Sequence, residues 1–200
     1  MASSRARRSS ASPRVRLKNG SSKPLSVVRG PGEPTLFQGV GLDLAGAQVH
    51  GSVKGWRTPV EPMRRLLRAY LEALGLPRAG VSLQWVDDDE CARLNRGFRG
   101  IDAPTDILSF PAQAGKAKPG DSRYLGDLAL GLPYAWRKRG RFHPRFEGEV
   151  AFLILHGLLH LCGLHHDTPA QEKALWRVQD LHFPPDAALL AALRGLKPKR

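Results

Sequence analysis

The chain has 200 residues, a formal net charge of +13 and a pI near 10.5, which indicates one globular domain with an added tail and a polyanionic partner such as nucleic acid. Its two cysteines, Cys91 and Cys162, are far apart, which argues against a disulfide scaffold and suits a reducing compartment. The longest apolar run, 150–164, is too short and too polar to cross a bilayer, and the N-terminus lacks the apolar segment of a secretory signal, so we expect no membrane partner.

The N-terminal segment is basic and of low complexity. Residues 1–32 hold eight arginines and lysines and no acidic residue, with serine, glycine and proline between them. We interpret residues 1–40 as a basic, disordered extension. A transit peptide for organelle import is the alternative for residues 1–32, although the amphipathic repeat expected of one is weak.

Helix and strand patterns alternate from about residue 41 onward. A helix is predicted over 58–75, with Thr58 as N-cap, Pro59 in the first turn and Gly75 as the stop. A half-buried strand over 81–86 follows, then a helix whose acidic start, 87–90, is interpreted as capping. Two strands are predicted within 105–112 and 124–133, a long helix before Gly163, helices over 169–180 and 185–193, and a frayed basic tail at 196–200. This order predicts a single α+β domain over 41–195, in which a small mixed sheet packs with helices.

Four of the seven histidines lie within eleven residues, in "HGLLHLCGLHH". His156 and His160 are four apart and therefore share one face of a helix. Gly163 can end that helix in the left-handed conformation, which lets His166 swing back toward the same point. Three imidazoles leave the fourth position of a tetrahedral zinc open, so the spacing predicts one catalytic Zn²⁺ per chain at the end of the long helix. His165 or Asp167 remains an alternative third ligand, or supports the ligands from behind.

The same histidine frame, glycine included, occurs in metzincin proteases as H-E-x-x-H-x-x-G-x-x-H. In those enzymes the glutamate after the first histidine is the general base. Gly157 occupies that position here and cannot accept a proton. Peptide hydrolysis by that mechanism is therefore disfavoured.

Three segments together resemble one family. "HGLLHLCGLHH" is similar to the H-G-x-L-H-L-x-G-x-D-H signature of the YbeY rRNA-maturation endoribonucleases, and "LNRGFRGIDAPTDILSFP" and "LGDLAL" resemble two further segments of it. The resemblance covers about residues 41–190. It implies an α+β fold, zinc on His156, His160 and His166, and single-strand-specific cleavage of RNA. One departure is His165, where the family has aspartate.

The resemblance further implies RNA as the partner: the 16S rRNA precursor on the small ribosomal subunit, whose 3′ end matures, with a part in ribosome quality control. A bacterial cytoplasmic location follows, and DNA is not expected. Arg99 matches the motif arginine of the family. Guanidinium is a fixed, charged fork for phosphate oxygens, so Arg99 is a candidate for binding the scissile phosphate.

A second basic cluster, "RKRGRFHPR" at 137–145, directly precedes the histidine helix. Its cations are candidates for contacts to an RNA backbone beside the metal: Arg137, Lys138, Arg139, Arg141 and Arg145. Trp136, Phe142 and Phe146 can stack on bases, although packing is the simpler use of each.

Two further hypotheses remain open at this point. One is a zinc hydrolase of another substrate, such as a peptide, which Gly157 disfavours. The other is a ribosome-assembly factor in which zinc is mainly structural. Neither the general base nor the nucleophile is visible in the sequence; Asp106 and Asp127 lie in matching motifs but are compatible with structural roles.

Overall fold

The computed structural model describes residues 46–112, 116–120 and 122–199. The predicted basic extension, residues 1–40, lies outside the described residues. Within them, no helix is long and apolar enough to cross a membrane.

The described chain alternates strands and helices. Its elements are, in order, β1 (Ala47–His50), β2 (Trp56–Arg57), α1 (Val60–Ala73), β3 (Gly80–Val86), α2 (Asp88–Arg99), β4 (Ile107–Pro111), β5 (Tyr124–Gly131), α3 (Leu132–Arg137), α4 (Phe146–Leu161), α5 (Pro169–His182), α6 (Ala187–Ala192), a 3-10 turn (Leu193–Gly195) and β6 (Lys197–Pro198).

The main sheet has four strands in the order β1-β3-β5-β4. β1, β3 and β5 run parallel, and β4 pairs antiparallel with β5 at the edge. The predicted α+β class with a small mixed sheet is therefore confirmed. β2 and β6 form a separate antiparallel pair.

Helices cover both faces of the main sheet. α1 and α4 pack on one face in the larger core, where Leu128 and Leu130 of β5 are fully buried. α2 packs on the other face in a smaller core that contains Cys91, Leu94 and Ala129 of β5. Alternate residues of β5 thus point into different cores, as the period of two in a strand requires.

The helix predicted at 58–75 is confirmed as α1. Its apolar residues recur at helical spacing, and they are buried at Met63, Leu66, Leu67, Tyr70 and Leu71, whereas Leu74 is half-buried. Its start differs from the expectation, because Pro59 rather than Thr58 occupies the cap position and no side chain caps the helix. The acidic run before α2 does cap: the Asp87 carboxylate accepts a hydrogen bond from the Glu90 backbone at 2.9 Å.

The expectation that strand 81–86 is half-buried is wrong. All residues of β3 except Gln84 are buried. β3 lies between β1 and β5, and cores cover both of its faces, so its apolar run reads like that of a parallel-sheet strand.

The frayed end expected at 196–200 also differs from the structure over its first residues. Leu196 is buried, and Lys197 and Pro198 pair with Arg57 and Trp56. A single apolar residue in a basic tail gives little sequence signal, whereas its tertiary contact with the main core fixes the segment.

Candidate metal centre

The helix α4 is the central element of the site, and it is apolar on nearly every side. Its residues are buried except for Glu147, His156 and His160. A helix that is hydrophobic all round belongs inside a core. His156 and His160 are therefore partly exposed polar side chains in the otherwise buried C-terminal half of α4.

Gly157 brings α4 against the sheet. A Cβ on this residue would lie 2.8 Å from Leu128 Cδ2 and 2.9 Å from Ile107 Cδ1, closer than packed carbon atoms normally approach. The Ser109 hydroxyl of β4 donates to the Gly157 carbonyl at 3.2 Å. The position that holds the general base in metzincins therefore faces the sheet here, and it has no room for a glutamate.

The end of α4 turns the chain back toward its own histidines. Gly163 adopts φ 80°, its N–H donates to the His160 carbonyl at 2.9 Å, and the Leu164 N–H donates to the Leu159 carbonyl at 2.9 Å. This is the glycine-centred C-terminal turn in which only glycine is unstrained. The reversal carries His166 back beside α4.

The three predicted ligands come together. One ring nitrogen from each of His156, His160 and His166 lies within 4.8 Å of the others. The two Nε2 atoms on α4 are 3.1 Å apart. His156 and His160 are half-buried, whereas His166 is exposed, so the group opens toward solvent on one side.

Burial keeps the two helix histidines neutral. It lowers the pKa of His156 to about 4, with a further lowering by the nearby His166. It lowers the pKa of His160 to about 3, with further lowering by the other three histidines of the cluster. Near pH 7 both rings thus offer a lone pair rather than a charge.

This donor set fits a zinc ion. Neutral imidazoles are zinc ligands, and three of them leave one position of a tetrahedral ion free. The exposed side at His166 gives that position access to solvent. The residues present therefore fit the metal that the sequence predicted.

The alternative ligands lie beside this group. The His165 ring is 5.7 Å from the His160 ring, and Asp167 is exposed. Among the described residues, the group that can converge on one ion contains neither of them. Of the three residues that the spacing allowed as third ligand, His166 is therefore the one that the described structure groups with His156 and His160.

Asp106 directly precedes β4, and its charge offsets a small part of the lowering of the His156 pKa that burial causes. Its Oδ1 accepts from the Ile107 backbone at 3.0 Å, and its Oδ2 accepts from Arg141 at 3.0 Å. This carboxylate thus shapes the loop before β4 and pairs with a cation of the basic cluster.

Arg99 is the last residue of α2, and its side chain is exposed. α2 packs on the face of the sheet opposite α4, so Arg99 is not part of the histidine group itself. The following segment, 100–106, leads from Arg99 to Asp106. Arg99 and the carboxylate that pairs with Arg141 are therefore separated by one short loop.

The second basic cluster is exposed but partly engaged within the chain. Arg137 donates to Asp88 at 2.7 Å, and the Arg139 guanidinium lies 4.0 Å from the centre of the Trp136 ring. The Lys138 ammonium lies 5.8 Å from the Tyr134 ring. These contacts orient the cations without burying them.

The aromatic residues of this segment pack rather than point outward. Trp136 lies edge-on to Phe146 at 4.9 Å between ring centres, and Phe146 is buried. Phe142 stacks on Phe152 of α4 at 4.2 Å. The buried Glu149 carboxylate fixes this segment onto α4, because it accepts the backbone N–H groups of 142 and 143 at 2.9 and 3.0 Å.

Sequence reasoning missed the residues that support the site from neighbouring elements. Ser109 holds α4 on β4, and Gln179 of α5 lies fully buried against α4. A serine in an apolar strand and a glutamine in an amphipathic helix carry no signal of their own. Only the packing of the elements identifies them.

Comparison with known proteins agrees with this architecture. The model of a family described as "Endoribonuclease YbeY" matches residues 56–183. A protein of that name from Moorella thermoacetica is 44% identical over 115 residues, which cover 54% of this chain and 74% of the relative. Another from Pelotomaculum thermopropionicum is 38% identical, with 59% and 80% covered, and one from Anaeromyxobacter sp. is 35% identical, with 72% and 73% covered. The matched region contains both the histidine group and its supporting helices, and the chain belongs to the endoribonuclease YbeY family.

Proposed function

We propose that this protein is a zinc-dependent endoribonuclease that cleaves single-stranded RNA. The convergence of three imidazole nitrogens at an exposed edge of a buried helix carries the proposal. Membership of the endoribonuclease YbeY family supports the RNA substrate, and the net charge of +13 suits a polyanion.

In this proposal His156, His160 and His166 hold one zinc per chain. When bound, zinc supplies Lewis-acid chemistry, since it acidifies a coordinated water and polarises a phosphoryl oxygen. His165 and Asp167 lie beside these ligands and support them. The open side at His166 favours a catalytic role over a purely structural one, because structural zinc sites are closed by four protein ligands.

The cations have separate proposed roles. Arg99 binds the phosphate at the cleavage position, and the exposed basic cluster holds the RNA backbone beside the site: Arg137, Lys138, Arg139 and Arg141. Arg141 pairs with Asp106, the residue directly before β4. Its guanidinium retains donors beyond that pair, so it can contact a phosphate while it holds the carboxylate.

We further propose that the substrate is the 16S rRNA precursor on the small ribosomal subunit, whose 3′ end is matured, and that the same activity serves ribosome quality control in the bacterial cytoplasm. The catalytic unit extends from residue 41 to residue 198, because 196–198 pack on the domain and pair with β2, and the basic extension 1–40 precedes it. The extension adds affinity for RNA in this proposal, and its removal is expected to weaken RNA binding with little effect on metal content.

The test combines metal content with RNA cleavage. Wild type, His160→Ala and Arg99→Ala are assayed on single-stranded RNA, on a duplex of the same sequence, and on small subunits that carry the 16S precursor. We expect wild type to cut the single strand and the precursor, His160→Ala to lose metal and cleavage, and Arg99→Ala to keep metal but cut poorly. Metal binding without cleavage of any of these RNAs would instead support a ribosome-assembly factor with a structural zinc.

A further inference from the structure

The amide of Gln179 lies between α5 and the histidine helix. Gln179 is fully buried, and its Nε2 donates to the Phe152 carbonyl at 3.1 Å. Phe152 precedes His156 by one turn of α4. Trp176, one turn earlier on α5, lies over the His156 ring with 5.9 Å between ring centres and 29° between planes. Two residues of α5 thus enclose His156 on the side away from solvent.

The orientation of the amide is fixed by its partner. A carbonyl only accepts hydrogen bonds, so the amide nitrogen must face Phe152, and a flipped amide would put two oxygens together. The Oε1 of Gln179 is therefore directed to the other end. It is buried and, within the described part of the chain, has no partner at hydrogen-bond distance; the same is true of His156 Nδ1.

These two buried atoms are a matched acceptor and donor on adjacent side chains. Buried polar atoms in proteins are nearly always paired, because an unpaired one loses its hydrogen bonds to water without replacement. The Nε2 bond to Phe152, one turn before His156, and the Trp176 ring over the imidazole place this Oε1 on the buried side of His156. A small adjustment of either side chain completes the bond.

We infer that Gln179 is a positioning residue for the metal centre, whose Oε1 accepts the Nδ1–H of His156. A neutral imidazole carries one proton, so a bond at Nδ1 leaves the lone pair at Nε2. That nitrogen is the one that lies 3.1 Å from Nε2 of His160. Gln179 thereby selects the tautomer and the ring orientation that point at the ion, and this inference rests on the proposed metal site.

The first measurement is the zinc affinity of the full-length chain, by competition with a chromophoric chelator. Partners of this kind typically contribute a factor of about 10–100 to metal affinity. Gln179→Met, which removes the acceptor at similar volume, is expected to weaken zinc binding by about that factor. Gln179→Glu keeps an acceptor for Nδ1–H but loses the donor to the Phe152 carbonyl, so it is expected to bind zinc more tightly than Gln179→Met and less tightly than wild type. Gln84→Met is the matched control. Gln84 lies on β3 and also has a buried Oε1 without a hydrogen-bond partner, but β5 separates β3 from β4, the strand that is bonded to α4.

The second measurement is independent of metal. The ¹⁵N shifts of the His156 ring in the zinc-free protein report which nitrogen carries the proton. Wild type is expected to show the Nδ1–H form, and Gln179→Met a mixture. A general loss of packing does not select between tautomers, so this readout separates positioning from structure.

Several results would overturn the inference: Gln179→Met that binds zinc as tightly as wild type, a loss in Gln84→Met as large as that in Gln179→Met, or wild-type His156 protonated at Nε2. If Gln179→Met fails to fold, the tautomer of His156 in the wild-type protein decides by itself. If wild type binds no zinc, the proposed function fails, whereas the tautomer still tests Gln179 by itself.

Discussion

Gly157 gives the sharpest test of how α4 is seated on the sheet. Substitution by alanine adds a Cβ at 2.8–2.9 Å from the ends of Leu128 and Ile107, both in the packed core. Overpacking of a core by one carbon costs about 1–3 kcal/mol. Alanine is favoured over glycine within a helix by about 1 kcal/mol, so the net expected loss is about 0–2 kcal/mol.

Gly97 provides the matched control, because it lies within α2 and a Cβ there would have nothing within 4 Å. Gly97→Ala is expected to gain up to about 1 kcal/mol from helix propensity alone. Urea unfolding of both zinc-free variants should therefore separate them by about 1–3 kcal/mol, with unchanged m-values. If the two substitutions change the free energy of unfolding equally, α4 does not press on the sheet at Gly157, and our explanation for the absence of glutamate there is refuted.

Three further predictions concern Arg99, the two histidines of α4 and the segment before α4. Arg99→Ala is expected to lower cleavage of single-stranded RNA by at least tenfold while zinc content stays at the wild-type level; Arg99→Lys should restore little, because lysine lacks the planar fork. In the zinc-free protein, His156 and His160 bind protons less readily than in the unfolded chain, since their pKa values of about 4 and 3 lie below the ordinary value near 6.5. The free energy of unfolding should therefore fall as the pH drops below about 6.5, and urea titrations should show a weaker pH dependence in His160→Ala. Glu149→Ala is expected to cost about 2–4 kcal/mol in urea unfolding, because it leaves two backbone N–H groups without their carboxylate acceptor; a loss below about 0.5 kcal/mol would contradict that role.

The histidine group was predictable because its geometry is local. The pattern H-x3-H fixes two rings on one helix face, and Gly163 supplies the reversal that the third ring needs. The long apolar helix, α1 and the capped start of α2 are also local patterns. The residues that define each of these elements lie within one helical turn or one periodic stretch of sequence.

Other elements depend on partners distant in sequence. β1 has only four residues, and it becomes a strand because it pairs with β3 over 81–84. α3 begins directly after β5 with Pro133 in its first turn, where proline reads equally well as the end of a strand. Arg137, the first residue of the basic cluster, ends that helix.

The supporting residues show the same limit. Glutamine is common on the solvent-facing side of helices, yet Gln179 is fully buried because α5 packs on α4. In the sequence, Gly157 stands where metzincins have their catalytic glutamate. In the structure, its close approach to Leu128 and Ile107 explains why a larger side chain does not fit there. The role of each of these two residues is therefore visible only from the packing of α4 against its neighbours.

The central claim is that one zinc on the three histidines drives RNA cleavage. The most direct measurement titrates metal-free protein with zinc and follows cleavage of a single-stranded RNA in parallel with metal bound per chain. Activity is expected to rise in step with zinc binding, to reach its plateau at about one equivalent of zinc per chain, and to stay at background for His160→Ala throughout. Cleavage by the metal-free protein at the rate of the zinc-loaded protein, or by His160→Ala at the wild-type rate, would contradict it.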